Sequence, residues 1–173
     1  MKKFGDTAQG YTQHAQIMDS PGLLNRPDCE RNEMEALTLA SLQHLPTAVV
    51  YVMDLSGQSG DACSSIDDQL ALRAETRGRF PKRPWVDVLA KWDLGVEEDV
   101  MVRVREVCGG DGEPVKVSVL TGEGVGDLKG EVDGLLEKIR QVLDVIDARK
   151  VQEEAEREGK RKTLSEEEEK VQA

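Results

Sequence analysis

"VLAKWDLG", residues 88 to 95, carries an apolar run into Lys91 and Asp93, spaced two apart. At the carboxyl end of a strand, an aspartate so placed can accept two hydrogen bonds from a guanine base. A plain turn with a snorkelling lysine explains the same residues. "MDSPGLL" (18–24) sets Asp19 three positions before Gly22. Asp-x-x-Gly after a strand brings a carboxylate near a metal ion, and the glycine lets the backbone approach a terminal phosphate and offer its N–H. A Ser-Pro-Gly turn is the simpler alternative. "SVLTGEGVGDL" (118–128) follows Ser118 with a flexible stretch around Gly122 and Gly124. Its backbone amides suit a base carbonyl, although glycine-rich strand-to-helix turns are common in any setting.

Residues of this kind need rigid elements to converge. Four apolar runs read as strands: 15–18, ending at Asp19; 48–53, "AVVYVM"; 86–89; and 115–120, "VKVSVL". The second is β-branched, aromatic and continuous, as expected of a strand covered on both faces. Between the runs lie helical patterns. Met34, Leu37, Thr38, Ser41, Leu42 and Leu45 form a one-sided stripe that Pro46 stops. Ser64 or Ser65 is placed to cap a helix carrying Ile66, Leu70 and Ala74. Val100, Met101, Val104, Val107 and Cys108 mark a third helix, ended by Gly109-Gly110. The strongest stripe runs from Leu128 through Leu135 and Leu136 to Ile146. Strand and helix in alternation predict an α/β fold with a parallel sheet and right-handed crossovers.

Composition narrows the class. The chain has 173 residues, enough for one domain and a tail, with 38% hydrophobic and 33% charged residues and a formal net charge of -11. That charge argues against binding nucleic-acid phosphates over the whole surface, while leaving room for a local basic patch. Three scattered cysteines (Cys29, Cys63, Cys108) without CxxC spacing read as reduced thiols. With only His14 and His44, a histidine-based metal cluster is not expected. There is no apolar run of 18 residues, hence no membrane span, and "MKKFGDTAQGYTQ" has neither a secretory h-region nor the bias of a transit peptide. From Asp147 onward apolar positions nearly vanish. Residues 147–173 are expected to be a charged helical or disordered tail, with Glu166–Glu169 disordered and "GKRK" (159–162) available to RNA.

Taken together, the Asp19–Gly22, Ala90–Asp93 and Ser118–Gly122 stretches have the order and placement of three guanine-nucleotide motifs of a small GTPase. The segment "QIMDSPGLLNRPDCERNEMEALTLASLQHLPTAVVYVMDLSGQSG" (Gln16 to Gly60) resembles the nucleolar GTP-binding protein (Nog) subfamily of the Obg-type GTPases. The likeness runs from about residue 10 to 145, and "HLPTAVVYV" with the residue before Lys91 looks closest to a plastid branch. The resemblance implies a P-loop NTPase-like (Rossmann-type) three-layer parallel sheet, GTP or GDP with Mg2+ as cofactors, and work in ribosome biogenesis. It implies that Asp19 holds magnesium through a water and that the Gly22 N–H senses the γ-phosphate. Lys91 would lie along the base plane, Asp93 would accept from guanine, and Ser118, Val119 and Leu120 would support the base carbonyl. The implied partner is a pre-ribosomal particle or ribosomal subunit, with a possible rRNA contact by the tail, in a plastid or alternatively the nucleolus.

The sequence departs from that pattern in three places. Ala90 stands where the guanine loop usually has Asn, a loss expected to cost about 1–3 kcal/mol of guanine affinity. Leu23 follows Gly22 where some GTPases carry a water-orienting glutamine. No G-x-x-x-x-G-K-S/T occurs in the chain. The expectation is therefore residues 1–146 as a partial G domain, truncated at its amino end and lacking the phosphate loop and first strand, which does not hydrolyse GTP alone. The missing strand should leave an apolar slot beside residues 48–53 and make the chain marginally stable. A nucleotide-free protein-interaction module, built on the Arg31–Leu45 helix and the tail, is the alternative; a flavodoxin-like enzyme lacks a nucleophile or cofactor loop.

Overall fold

A computed structural model describes the backbone of residues 2–4, 13–20, 22–58 and 65–172, and side chains within 15–157. Cys63, Ser64, Pro21 and the side chains of "GKRK" lie outside the described residues. In chain order the elements are β1 (Lys2–Phe4), β2 (Gln13–Ala15), α1 (Glu33–His44), β3 (Val49–Met53), α2 (Ile66–Arg79), β4 (Trp85–Leu89), α3 (Glu98–Cys108), β5 (Val115–Lys116) and α4 (Val125–Gln172). Short 3-10 turns cover Asp28–Glu30 and Trp92–Leu94.

The predicted parallel sheet is present, in the order β3-β4-β5. Val49 pairs with Trp85 and Met53 with Leu89, while Val88 pairs with Val115. Each strand is followed by a helix, as right-handed α/β units require. β4 is buried at all five positions. Met53, Leu55, Leu70, Leu89, Val100, Val104 and Cys108 form the core between the sheet and α2 and α3. α2 begins where Ser65 accepts the Asp68 N–H, and α1 ends at Leu45, just before Pro46. On α2, Leu70 is buried but Ala74 is exposed; Leu72, Arg73 and Thr76 fill its inner face instead.

Burial of an aspartate in the middle of β4 needs compensation. Asp87 receives it from Arg73, whose Nη2 lies 2.6 Å from the Asp87 carboxylate, and from Trp85 Nε1 at 2.8 Å. Arg73 also reaches Asp111 and, at 2.7 Å, the Val107 carbonyl, so one guanidinium ties α2, β4 and the end of α3. Tyr51 stacks on Trp85 with ring centroids 5.4 Å apart, carrying the brace to β3. Burial beside these groups pushes the Cys108 thiol up to about 12.

Four expectations are corrected. Residues 16–20 form no strand; the strand lies at Gln13–Ala15 and pairs antiparallel with β1, outside the parallel sheet. Ile17 and Met18 are consequently 83% and 57% exposed. Among the described residues the outer edge of β3 carries no paired strand. Second, β3 is not covered on both faces. Strand alternation puts Val50 and Val52 on the side where α4 contacts β4, yet α4 leaves them 40% and 61% exposed. Third, β5 ends at Lys116, and Val119 and Leu120 sit in a turn. Fourth, α4 is helical through Gln172, including Glu166–Glu169. In that segment Glu156 and Glu158 stand four residues before Lys160 and Lys162, spacing that favours helix.

The open face of β3 meets the inward side of α1 and α4 in a cleft of ≈ 1180 Å³, whose apolar wall includes Met18, Leu37, Val52, Leu136 and Ile139. This is the slot anticipated beside residues 48–53.

Candidate functional site

The carboxyl ends of the three parallel strands gather three loops: 54–58, 90–95 and 117–124. Parallel strands all point the same way, so the loops that leave them share one rim, where α/β sheets hold ligands. Backbone hydrogen bonds lace the rim. Ala90 N–H donates to the Met53 carbonyl at 2.8 Å, Trp92 N–H to Val117 at 3.1 Å, and Val117 N–H to Leu89 at 2.8 Å.

Lys91 and Asp93 flank Trp92 in the middle loop. Lys91 adopts a left-handed backbone (φ 55°) and caps the 3-10 turn that carries Asp93 outward into solvent. Non-glycine residues in this region are uncommon and recur at functional loops. The Lys91 ammonium is 2.8 Å from the Asp54 carboxylate. Trp92 packs against the core, and Lys116 Nζ lies 4.6 Å from its ring centroid, a cation–π contact that fixes the loop on the β5 side.

Ser118 is fully buried, and its hydroxyl accepts the Thr121 N–H at 3.1 Å. Its carbonyl takes the Gly122 N–H at 2.9 Å and its own N–H donates to Glu123 at 3.0 Å. These bonds close a tight turn that displays Val119 and Leu120, 89% and 86% exposed, at the rim. Gly122 and Gly124 have positive φ (81° and 69°), and a Cβ on Gly124 would stand 1.8 Å from the Lys116 carbonyl. The glycines are needed first for the turn's closure.

Asp19 and Gly22 are placed differently. Both are exposed on an irregular segment along the β3 cleft, not at a strand end. Lys91, Asp93 and Ser118–Leu120 are therefore brought onto one rim, while Asp19 and Gly22 line the cleft wall. The first group offers a carboxylate, an alkyl stem and a turn with two exposed residues. Magnesium is not matched in the same way. Asp19 is a single exposed carboxylate, and no group of three or more His, Cys, Asp or Glu converges among the described residues. No step is assigned to the ion.

Two further residues escaped the sequence reading. Asp54 follows β3 as Asp93 follows β4, a repetition visible in "VMDLS". Glu35, only 1% exposed, closes a capping box with Asn32, accepts the Leu24 N–H at 3.1 Å and pairs with Arg26. Asn-x-x-Glu before an apolar stripe was the available signal. The neighbouring Arg31 bonds Asp28 at 2.8 Å and Glu75 at 3.0 Å. Residues 22–31 are thus pinned to the start of α1 and to α2.

Comparison with known proteins points to one family. Residues 33–93 match the family model described as Nucleolar GTP-binding protein 1, a span running from α1 through β4 to Asp93 and including Asp54 and Lys91. A nucleolar GTP-binding protein 1 of Arabidopsis thaliana is 33% identical over 139 residues, covering 72% of this chain and 20% of that protein. One from Caenorhabditis elegans is 33% identical over 144 residues, covering 79% and 20%. One from Drosophila melanogaster is 34% identical over 92 residues, covering 53% and 14%. The match thus spans about a fifth or less of the length of these relatives. The family model and these relatives support the nucleolar GTP-binding protein (Nog) subfamily for this chain.

Proposed function

We propose that the rim formed by Lys91, Asp93 and Ser118–Leu120 binds the guanine base of GTP or GDP. The observation that carries this reading is the bond between Trp92 N–H and the Val117 carbonyl, 3.1 Å, which locks the Asp93 loop to the Ser118 turn. Asp93 accepts from guanine N1 and N2, the Lys91 stem lies along the base, and the 118–120 turn faces the base carbonyl. Adenine offers no such pair of donors to a carboxylate, so selectivity follows from Asp93 alone and survives Ala90. Asp19 and Gly22 belong, in this reading, to the phosphate side. We assign no GTP hydrolysis to the chain, since Leu23 cannot orient a water.

The relatives are named nucleolar GTP-binding proteins. On that basis we place the chain in ribosome assembly, docking on a pre-ribosomal particle in a nucleotide-dependent way, with the charged end of α4 as the contact to rRNA. The relatives' names favour the nucleolus; the plastid alternative rests on "HLPTAVVYV" and Ala90 alone.

Titration with a fluorescent GDP analogue, with its adenine counterpart as control, tests the base site. Guanine-selective saturation that Asp93→Ala weakens by roughly 10- to 100-fold supports it, as expected for hydrogen bonds to a charged group. Equal binding of the two analogues, or none, rejects it. A second reading has one observation in its favour: Met34 and Leu37 on α1 are 53% and 61% exposed. A nucleotide-free interaction module would use that face, and ribosomal co-sedimentation without guanine binding would select it.

A further inference from the structure

We infer that Asp54 is a positioning residue of the guanine loop, acting on the base through Lys91; this rests on the guanine-base reading above. Asp54 is the first residue after β3 and is itself held from several sides. Its backbone N–H donates to Gln69 Oε1 at 2.9 Å, and its carbonyl accepts from Gln69 Nε2 at 2.8 Å. One carboxylate oxygen accepts the Ser56 hydroxyl at 2.7 Å and the Ser56 N–H at 3.2 Å. The other faces Lys91 Nζ at 2.8 Å, with the Asp54 side chain only 13% exposed. The carboxylate is therefore fixed before any ligand arrives, and the flexible partner is the lysine.

That arrangement answers a need created by Ala90. A methyl group at position 90 cannot tie one rim loop to the next, as an amide side chain there would. Lys91 is the only non-glycine residue with positive φ among the described residues, and its conformation has to be held by its surroundings. Asp54 supplies the tie from the neighbouring loop. It anchors the ammonium, straightens the four-carbon stem across the rim and leaves that stem as a preformed wall for a flat base. Lys116 over Trp92 braces the opposite side of the same loop. Gln58 adds a second link between the two loops, its Nε2 donating to the Leu94 carbonyl at 3.0 Å.

An ion pair this exposed on the lysine side contributes little in water by itself. Its effect is preorganisation, and the test must read coupling and not stability. Four versions of the 173-residue chain are compared: wild type, Asp54→Asn, Lys91→Met and the double variant. Asp54→Asn keeps an acceptor for Ser56 and removes only the charge. Affinity for a fluorescent GDP analogue should fall about fivefold in each single variant, and the double variant should be no worse than Lys91→Met. Asp54→Glu should recover part of the loss. Amide exchange at Trp92 and Leu94 should quicken in Asp54→Asn while Val117 keeps its protection. Additive losses, or unchanged affinity in Asp54→Asn with wild-type binding intact, overturn the inference alone. A wild-type chain that does not bind the guanine probe overturns the base site and this inference together.

Discussion

Asn32 and Glu35 hold each other across the first turn of α1, and the same Glu35 carboxylate holds the preceding loop. Its oxygens accept from Asn32 N–H at 2.9 Å, Leu24 N–H at 3.1 Å and the Arg26 guanidinium. One side chain thus fixes where the helix starts and where the segment after Gly22 lies. That segment is anchored to α1 without any ligand.

Acid should release that segment. The bond from Arg26, then that from Asn32, lowers Glu35 from 4.5 to about 2. Arg79 and then Arg31 lower Asp28 from 3.8 to about 2. Both carboxyls bind protons more weakly folded than unfolded, so their contribution is complete above about pH 4.5 and is lost as pH falls towards about 2. Amide exchange of Leu24 and Asn32 across this range should show the loss before β4 opens. Glu35→Gln should shift the release to higher pH, and identical profiles for the two proteins would count against the anchor.

Removing Arg73 should be far more costly than removing any surface cation. It leaves Asp87, 2% exposed at its side chain, without its charge partner inside β4. Breaking a buried pair from one side costs about 3–5 kcal/mol. Arg73→Ala should therefore unfold at much lower urea than Arg140→Ala, whose partner Glu137 is half exposed and whose pair contributes about 0–1 kcal/mol. Equal midpoints would mean that the Trp85 N–H suffices for Asp87 without it.

Much of this was legible in the sequence, for physical reasons. Helix limits were written in Ser65, Pro46 and Gly109, because capping and ring closure are local. The order of motif-bearing strands gave the rim, because parallel strands send their following loops to one edge. Pairing was not legible. The run 15–18 is apolar enough for a strand, but a strand exists only with a partner, and the only described neighbour is β1. Likewise "AVVYVM" cannot say which of its faces is covered; α4 reaches β4 and stops short of Val52. The Asn32–Glu35 capping box was legible, but the distant partners were not: Arg26 lies 9 positions from Glu35 and Lys91 37 from Asp54, separations that no spacing rule encodes.

The two faces of β3 should respond oppositely to mutation. Met53 is 1% exposed within the core, and Met53→Ala should cost about 2–5 kcal/mol. Val52, one residue earlier, is 61% exposed in the cleft. Val52→Thr should change stability by less than about 0.5 kcal/mol and reduce self-association of the chain at high concentration. Urea melts and light scattering on the two variants separate these effects. A large loss from Val52→Thr would show that the cleft is closed in solution.

Gly124→Ala should damage the rim more than its chemistry suggests. The residue sits at φ 69°, and an added Cβ would fall 1.8 Å from the Lys116 carbonyl. No rotamer relieves a clash between Cβ and backbone, so either β5 shifts or the turn opens. Strain at positive φ alone costs on the order of 1–3 kcal/mol. Gly122→Ala provides the control: it has φ 81° but no atom within 4 Å of the added Cβ, so it bears the conformational cost without the clash. The difference in urea midpoint between the two isolates the steric part. Because the Ser118 turn closes through the Glu123 carbonyl beside it, Gly124→Ala should also weaken the guanine analogue more than Gly122→Ala does. Two variants with the same midpoint and the same affinity would show that the turn is not held against β5.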